Sequence, residues 1–354
     1  MQNKTDTTEI REQHRFDIPS LEKYMKDNLE GFSGGLTVQQ FVHGQSNPTF
    51  ILGDDRNTYV LRKKPPGKLL PSAHAVDREF RIISVLGKKG VPVPRAYLLC
   101  MDDSVIGTPF YLMEYVEGRI FRSPFAPEAS GNEERKAIYD SMNETLAKIH
   151  RVDWAEAGLS DYGKPGNYME RQVDRWTKQY MASQTGKIES MERLIAWLRE
   201  NIPSHEATSI VHGDYRLENM IIHPHEPRVI AVLDWEISTL GHPLADLAYN
   251  CMPYHIPDFN DIKMSLQGRD LSLLGIPSEK DYLGSYCRRA GIESIPSWEF
   301  FLAFSIFRLA SIVQGVYKRG LDGNASSQNA RFYGEYARFL ADTGWGLAQK
   351  GTEA

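Results

Sequence analysis

The segment Ile210-Val211-His212-Gly213-Asp214-Tyr215-Arg216-Leu217-Glu218-Asn219 starts on an apolar pair and turns into a polar loop. Asp214 and Asn219 stand five residues apart in it, and fifteen residues past Asn219 a second apolar run, Val229 to Leu233, delivers Asp234. Apolar runs this short fit buried strands better than helices. Met220 to Leu233 then reads as a hairpin that turns at His223-Pro224-His225. Two carboxylates and an amide are hard oxygen donors, the kind a hard divalent cation takes. A carboxylate on such a loop is also a candidate general base. The competing reading is a plain hairpin whose Asp, Asn and His occupy turns, as these residues commonly do.

Composition narrows the class without deciding it. At 354 residues, 41% hydrophobic and 25% charged, the chain has enough apolar residues for a sizeable core in one large domain or two lobes. A net charge of −5 argues against a nucleic-acid partner, which usually goes with a basic surplus. Cys100, Cys251 and Cys287 are widely spaced, as expected of free thiols in a reducing compartment. Met1 to Asp17 is polar and is not expected to be a secretory signal. No run is expected to be apolar over the roughly 18 residues that a membrane span needs. The expectation is a cytoplasmic protein with no membrane or nucleic-acid partner; the oligomeric state stays open.

Along the chain, residues 1–17 read as a mobile or loosely docked arm, followed by a helix from a Ser20 cap to about Gly31. Short strand-like runs follow at 36–42, 49–52, 59–61, 96–100 and 109–116, separated by Gly- and Asp-rich turns. One helix is inserted among them, carrying Phe80, Ile83, Val85 and Leu86. Past Gly118 the period changes: 133–150, 168–182, 189–200, 243–252, 280–290, 298–317 and 330–348 all read as helices. The only strands expected in this half flank the 212–219 loop. The fold class expected is α+β and bilobal, with a small antiparallel β-rich N-lobe and a larger, mainly helical C-lobe. The division expected is an N-terminal arm and helix at 1–34, a nucleotide-binding N-lobe at 35–117, and a C-lobe at 118–354 with the catalytic loop and substrate site. A cleft between lobes is a common place for a ligand.

His212-x-Asp214-x-x-x-x-Asn219 has the spacing of a kinase catalytic loop. Phosphoryl transfer needs one carboxylate to receive the hydroxyl proton, and an amide oxygen and a second carboxylate to hold Mg²⁺. Asp214, Asn219 and Asp234 come in that order.

The chain resembles the aminoglycoside phosphotransferase family, which has the protein-kinase-like fold, over about residues 35 to 345. The resemblance rests on Gly44-Gln45-Ser46-Asn47-Pro48-Thr49-Phe50, Tyr59-Val60-Leu61-Arg62, Glu79, Met113-Glu114-Tyr115-Val116, the 212–219 loop, Leu233-Asp234-Trp235-Glu236 and His242-Pro243-Leu244-Ala245-Asp246-Leu247-Ala248. More narrowly, Val60 through Pro65-Pro66-Gly67 to His74 is similar to the phosphotransferase domain of acyl-CoA dehydrogenase family members 10 and 11, and to stand-alone bacterial proteins provisionally assigned as aminoglycoside phosphotransferases.

The resemblance implies ATP and Mg²⁺ as cofactors and a small-molecule hydroxyl as phosphate acceptor. Asp214 would be the base and His212 would brace its loop; Asn219 and Asp234 would hold the metal. Ser46 and Asn47 would meet phosphate oxygens from a loop with one glycine instead of G-x-G-x-x-G. Arg62 stands where a protein kinase has its strand lysine, and Glu79 is placed to pair with it. Strand alternation sets Arg62 and Lys64 on one face and Lys63 on the other, so Lys64 is the substitute phosphate contact. The bland alternative is an exposed basic strand end. Met113 to Gly118, with Glu114 and Val116, would be the hinge whose backbone reads the adenine edge. Asp246 is expected to be structural, tying loop backbone together.

The acceptor stays open at this point. A polycationic aminoglycoside calls for carboxylates such as Asp258, Asp261, Glu279 and Asp281. A hydroxy-acid or hydroxyacyl-CoA calls for bases such as Arg288, Arg289, Arg308, Lys318 and Arg319. A catalytically silent nucleotide-binding pseudokinase is the reading from another class; the presence of Asp214, Asn219 and Asp234 argues against it.

Overall fold

The structure is a computed structural model that describes residues 7–42, 47–65, 75–323 and 330–353. Ser46 and the 66–74 stretch lie outside the described residues. The chain divides into two compact units: Met1–Ile120 with Asn219–Ser238, and Phe121–Glu218 with Thr239–Ala354.

The first unit contains β1 (Thr7–Thr8), α1 (Ile18–Asn28), β2 (Thr37–Phe41), β3 (Thr49–Gly53), β4 (Thr58–Lys63), α2 (Val76–Lys88), β5 (Ala96–Cys100), α3 (Asp103–Ile106) and β6 (Phe110–Glu114). The strands form one antiparallel sheet in the order β1-β2-β3-β4-β6-β5. Alternation along β4 decides what each face receives. Tyr59 and Leu61 join Leu21 and Met25 of α1, Phe50, Leu52, Phe110 and Leu112 in one buried cluster. Arg62 faces the other way, toward Glu79 of α2.

Residues 7–34 belong to this unit. Thr7 and Thr8 pair with Phe41 and Gln40, and α1 buries Leu21 and Met25 completely. A sheet face of this width has to be covered, and α1 covers it, so the loosely docked arm expected from polarity is not found over the described residues. The α1 cap is Asp17 and not Ser20: Asp17 Oδ1 accepts from Ser20 N at 3.2 Å, with Pro19 in the first turn.

The same unit takes in β8 (Met220–Ile222) and β9 (Val229–Val232), which the sequence expectation assigned to the C-lobe. Arg119 and Ile222 exchange backbone hydrogen bonds at 2.7 and 2.8 Å, and Val232 N donates to Pro92 O at 2.9 Å. Gly118 permits the first of these. A Cβ there would lie 2.5 Å from Ile222 O and against the Ile221 side chain.

The second unit is helical: α4 (Asn132–His150), α5 (Tyr168–Ser183), α6 (Glu189–Glu200), α7 (Pro243–Cys251), α8 (Leu271–Leu274), α9 (Glu279–Ala290), α10 (Trp298–Leu321) and α11 (Ala330–Glu353). Its two strands, β7 (Ser209–Val211) and β10 (Thr239–Gly241), pair antiparallel with Val211 opposite Thr239. β10 is absent from the sequence reading, because three residues give too short a period to detect. α10 is long and apolar enough to cross a membrane by length and composition, contrary to expectation, but 67% of its most apolar stretch is buried. It packs against α5, α7 and α11 as the core helix of this unit.

Candidate active site

In the first unit the chemistry gathers around Arg62. Its residue is 8% exposed, since β4 lies inside the sheet with helices on both faces. Nη1 lies 2.6 Å from Glu79 Oε1, and Nη2 lies 3.1 Å from Asp234 Oδ1 and 3.9 Å from Glu236 Oε2. Burial works against the guanidinium charge; Glu79, Tyr111, Asp234 and Glu236 more than offset it and raise its pKa. Burial also pushes the Glu79 carboxyl up, against the pull of Arg62. One guanidinium faces three carboxylates, which leaves surplus negative charge beside Asp234. Lys63 points oppositely, 5.4 Å from the centre of the Phe16 ring. Lys64 donates its backbone N–H to Pro109 O at 3.2 Å.

Asn219 and Asp234 are brought to one end of the β8–β9 hairpin by its register. Met220 pairs with Val232, and Leu233 N donates to Asn219 O at 2.8 Å. Asp234 adopts φ 66°, ψ 57°, a left-handed conformation that Asp tolerates better than most residues. Such conformations concentrate at functional sites. Its side chain is 36% exposed and offers a second carboxylate oxygen beyond the one on Arg62. Hard oxygen donors with surplus negative charge fit a Mg²⁺ ion. Among the described residues no cluster of three or more His, Cys, Asp or Glu is arranged to hold a metal. A metal at this hairpin would therefore need further oxygens from elsewhere, as from substrate phosphates.

The other nucleotide candidates divide. Asn47 is buried, and its backbone carbonyl accepts from Thr49 Oγ1 at 3.0 Å. Glu114 Oε2 accepts from Arg95 N at 3.0 Å, so its side chain fastens the neighbouring chain. Val116 follows β6 in irregular backbone and is half-buried.

In the second unit Asp246 organises the 212–219 loop. Oδ2 accepts from His212 N at 2.5 Å and Oδ1 from Gly213 N at 2.7 Å. His150 Nε2 lies 3.5 Å from Oδ2, and His150 Nδ1 meets the Tyr286 hydroxyl at 2.7 Å. Burial pushes the Asp246 carboxyl up, but His150, His212 and the Gly213 N–H outweigh it and hold its pKa below the ordinary value. α7 presents Asp246 from a capped start: His242 Nδ1 accepts from Leu244 N at 3.3 Å, and burial pushes the His242 pKa down to about 4, which keeps that acceptor free of a proton. Gly213, at φ 86°, supplies the left-handed step that turns both N–H groups toward Asp246.

His212 is fully buried, and its Nδ1 accepts from Asp214 N at 3.1 Å. It holds the loop backbone and has no exposed ring atom for chemistry. Asp214 itself keeps 20% side-chain exposure, with Arg216 Nε 3.4 Å from Oδ1. Arg216 Nη1 also pairs with Glu218 at 2.8 Å. The Tyr249 hydroxyl hydrogen-bonds Asp214, and burial, with Asp214 acting alongside, raises the Tyr249 pKa. Beside the loop lies a cavity of about 260 Å³ lined by Arg216, Leu217, Glu218 and Tyr249, and otherwise mostly by apolar side chains such as Met252 and Leu266.

The phosphotransferase enzyme family matches residues 37–268. The chain belongs to the phosphotransferase enzyme family. It is 48% identical over 346 residues to acyl-CoA dehydrogenase family member 10 of Mus musculus, covering 98% of this chain and 32% of that protein. It spans less than half the length of the curated relatives it matches. A crystal structure from Ralstonia eutropha JMP134, provisionally described as an aminoglycoside phosphotransferase, matches with TM-score 0.87 and 49% identity over 95% of this chain and 99% of that one. An aminoglycoside phosphotransferase in ternary complex with AMP-PNP and hygromycin B matches with TM-score 0.59 at 15% identity, over 95% of this chain and 99% of that one, and shares the fold. The α+β, protein-kinase-like class expected from the sequence is the class of this phosphotransferase.

Sequence reasoning missed Tyr249, Glu236 as a partner of Arg62, and His150. Tyr249 follows Asp246 by three residues on α7, so the helical period does place it on the same face. His150 closes α4, 96 residues before the carboxylate it supports, and nothing local signals that pairing.

Proposed function

We propose that this phosphotransferase moves the γ-phosphate of ATP to a hydroxyl of a small molecule with an apolar body, such as a hydroxy-acid or hydroxyacyl-CoA. The observation that carries this reading is the apolar cavity bounded by the catalytic loop's own Arg216, Leu217 and Glu218 and by Tyr249, which hydrogen-bonds Asp214. An acceptor seated there would present its hydroxyl to the Asp214 carboxylate, which takes the proton late in a loose transition state. Tyr249 and Arg216 hold the carboxylate in place; Asp246 and His212 hold the backbone that carries it. Arg62, fixed by Glu79, would supply the cation for the α- and β-phosphates. Asn219 and Asp234 would hold Mg²⁺, whose bound charge neutralises that developing on the phosphate oxygens.

The cavity lining speaks against a polycationic acceptor. None of Asp258, Asp261, Glu279 or Asp281 lines it. Asp258 pairs with Arg269 at 2.7 Å, Glu279 with His255 at 2.6 Å, and Asp281 accepts from Ser278 Oγ at 2.6 Å. Two of the five expected bases are likewise ion-paired: Arg289 with Asp140 and Lys318 with Asp322.

Two expected results follow for the nucleotide side. Asp234→Ala should abolish the Mg²⁺-dependent part of ATP binding, because it removes an anionic oxygen ligand. Calorimetry that finds an unchanged Mg²⁺ requirement would count decisively against the assignment. Arg62→Ala should weaken ATP more than adenosine, and Glu79→Ala should do so less strongly, with non-additive effects because both disturb one ion pair. If Lys64→Ala weakens ATP while Arg62→Ala does not, Lys64 is the phosphate contact. A pseudokinase would show an ATP-induced thermal shift with no turnover under any acceptor.

A further inference from the structure

The helical unit holds a second arrangement of charge close to Asp214. The Arg308 guanidinium, on α10, lies 4.9 Å from the centre of the Tyr249 ring and 5.3 Å from that of Trp176 on α5. Arg175 also lies over the Trp176 ring, at 5.7 Å. Arg308 Nε and Trp176 Nε1 are both buried, and neither donor has an acceptor among the described residues. No carboxylate of the described residues forms an ion pair with Arg308 or Arg175.

This is an unusual way to leave an arginine. Each buried donor without an acceptor costs roughly 1–3 kcal/mol, so a site that keeps two of them together is built for an acceptor. A guanidinium flanked by two rings and by no carboxylate keeps N–H donors for a planar oxyanion, to which it can donate in parallel. The charge is also local. Burial pushes the Tyr168 phenol up to about 12, with the Asp246 carboxylate acting alongside, while Arg308, Arg175 and Arg171 oppose that rise. Tyr249 joins the arginine to the acceptor cavity, because the ring that lies 4.9 Å from the Arg308 guanidinium also lines the cavity.

We propose that Arg308, with the indole N–H of Trp176, is an anion-recognition site that holds the carboxylate or phosphate of the acceptor and so fixes which hydroxyl meets Asp214. The proposal rests on the phosphotransferase reading above and adds a specificity determinant to it. Arg308 is a positioning residue; Tyr249 separates it from the carboxylate that takes the proton.

The test is calorimetry on the full chain with three probes sharing one apolar body: a hydroxydecanoate, its methyl ester and its coenzyme A thioester. The wild type is expected to bind the acid, or the thioester with its phosphates, at least about tenfold tighter than the ester, the lower bound for hydrogen bonds to a charged group. Which of the two holds this preference tells whether the anion is carboxylate or phosphate. Arg308→Gln should abolish the preference without weakening the ester, and Trp176→Phe should reduce it while keeping the ring. If Arg308→Gln fails to fold, Trp176→Phe carries the test. A preference that survives both substitutions, or a wild type that binds all three probes alike, overturns the proposal. Turnover separates it from the phosphotransferase reading. Arg308→Gln should raise KM for the anionic acceptor by a larger factor than it lowers kcat. No phosphorylation of any probe by the wild type, with Arg308-dependent binding intact, would remove the phosphotransferase reading and leave the anion site.

Discussion

Asp214→Asn is expected to leave the affinity for Mg·ATP close to wild type and to slow phosphoryl transfer by about 10²–10⁴, the usual worth of a general base. The substitution keeps the shape of the side chain. It keeps an oxygen for Arg216 and Tyr249, so the loop should hold its conformation. What is lost is the negative charge and the proton-accepting oxygen facing the acceptor. Single-turnover kinetics with a verified acceptor, alongside calorimetry with ATP, separates the two quantities. Wild-type turnover would remove Asp214 from the role of base.

Asp246→Ala is expected to be the more damaging change for the fold. It leaves the buried N–H groups of His212 and Gly213 without their acceptor and takes the carboxylate from beside His150 Nε2, while Tyr286 stays on Nδ1. Two buried N–H groups left without the carboxylate that accepted from them together cost roughly 2–6 kcal/mol. Chemical denaturation of wild type and variant at neutral pH measures the difference. The same comparison has a defined pH dependence. The Asp246 carboxyl is held below its ordinary pKa in the folded chain. Its contribution is therefore full above the unfolded pKa, and it disappears as the pH falls through the folded one. The gap between wild type and variant should narrow on acidification. A gap that stays constant, or widens toward acid, would mean that Asp246 does not hold the loop as an ionised carboxylate.

Much of this was legible in the sequence, for a physical reason. Strand and helix periods are local, so α4, α6 and β5 could be read nearly to their observed ends from the spacing of apolar residues. The five-residue interval between Asp214 and Asn219 and the apolar run before Asp234 are also local. What was not legible depends on partners distant in the chain. Polarity marked Thr7 and Thr8 as part of a mobile or loosely docked arm, but their backbone groups complete a sheet edge with β2. Val211 read as the end of a short strand before the 212–219 loop, with no partner signalled; it pairs with Thr239, 28 residues on. Asp258 and Glu279 read equally well as a polycation site; only their partners Arg269 and His255 show that they are engaged. Arg308 stood among several basic candidates, and the sequence offered no means of seeing that two aromatic rings would flank it.

The most direct measurement is ATP-dependent phosphorylation of a panel of hydroxy-acids, hydroxyacyl-CoAs, sugars and aminoglycosides, followed by mass spectrometry with and without Mg²⁺. The expected result is a phosphate ester on an acceptor with an apolar body, dependent on Mg²⁺ and suppressed in Asp214→Asn. Phosphorylation of aminoglycosides alone, or of no acceptor in the panel, would contradict it.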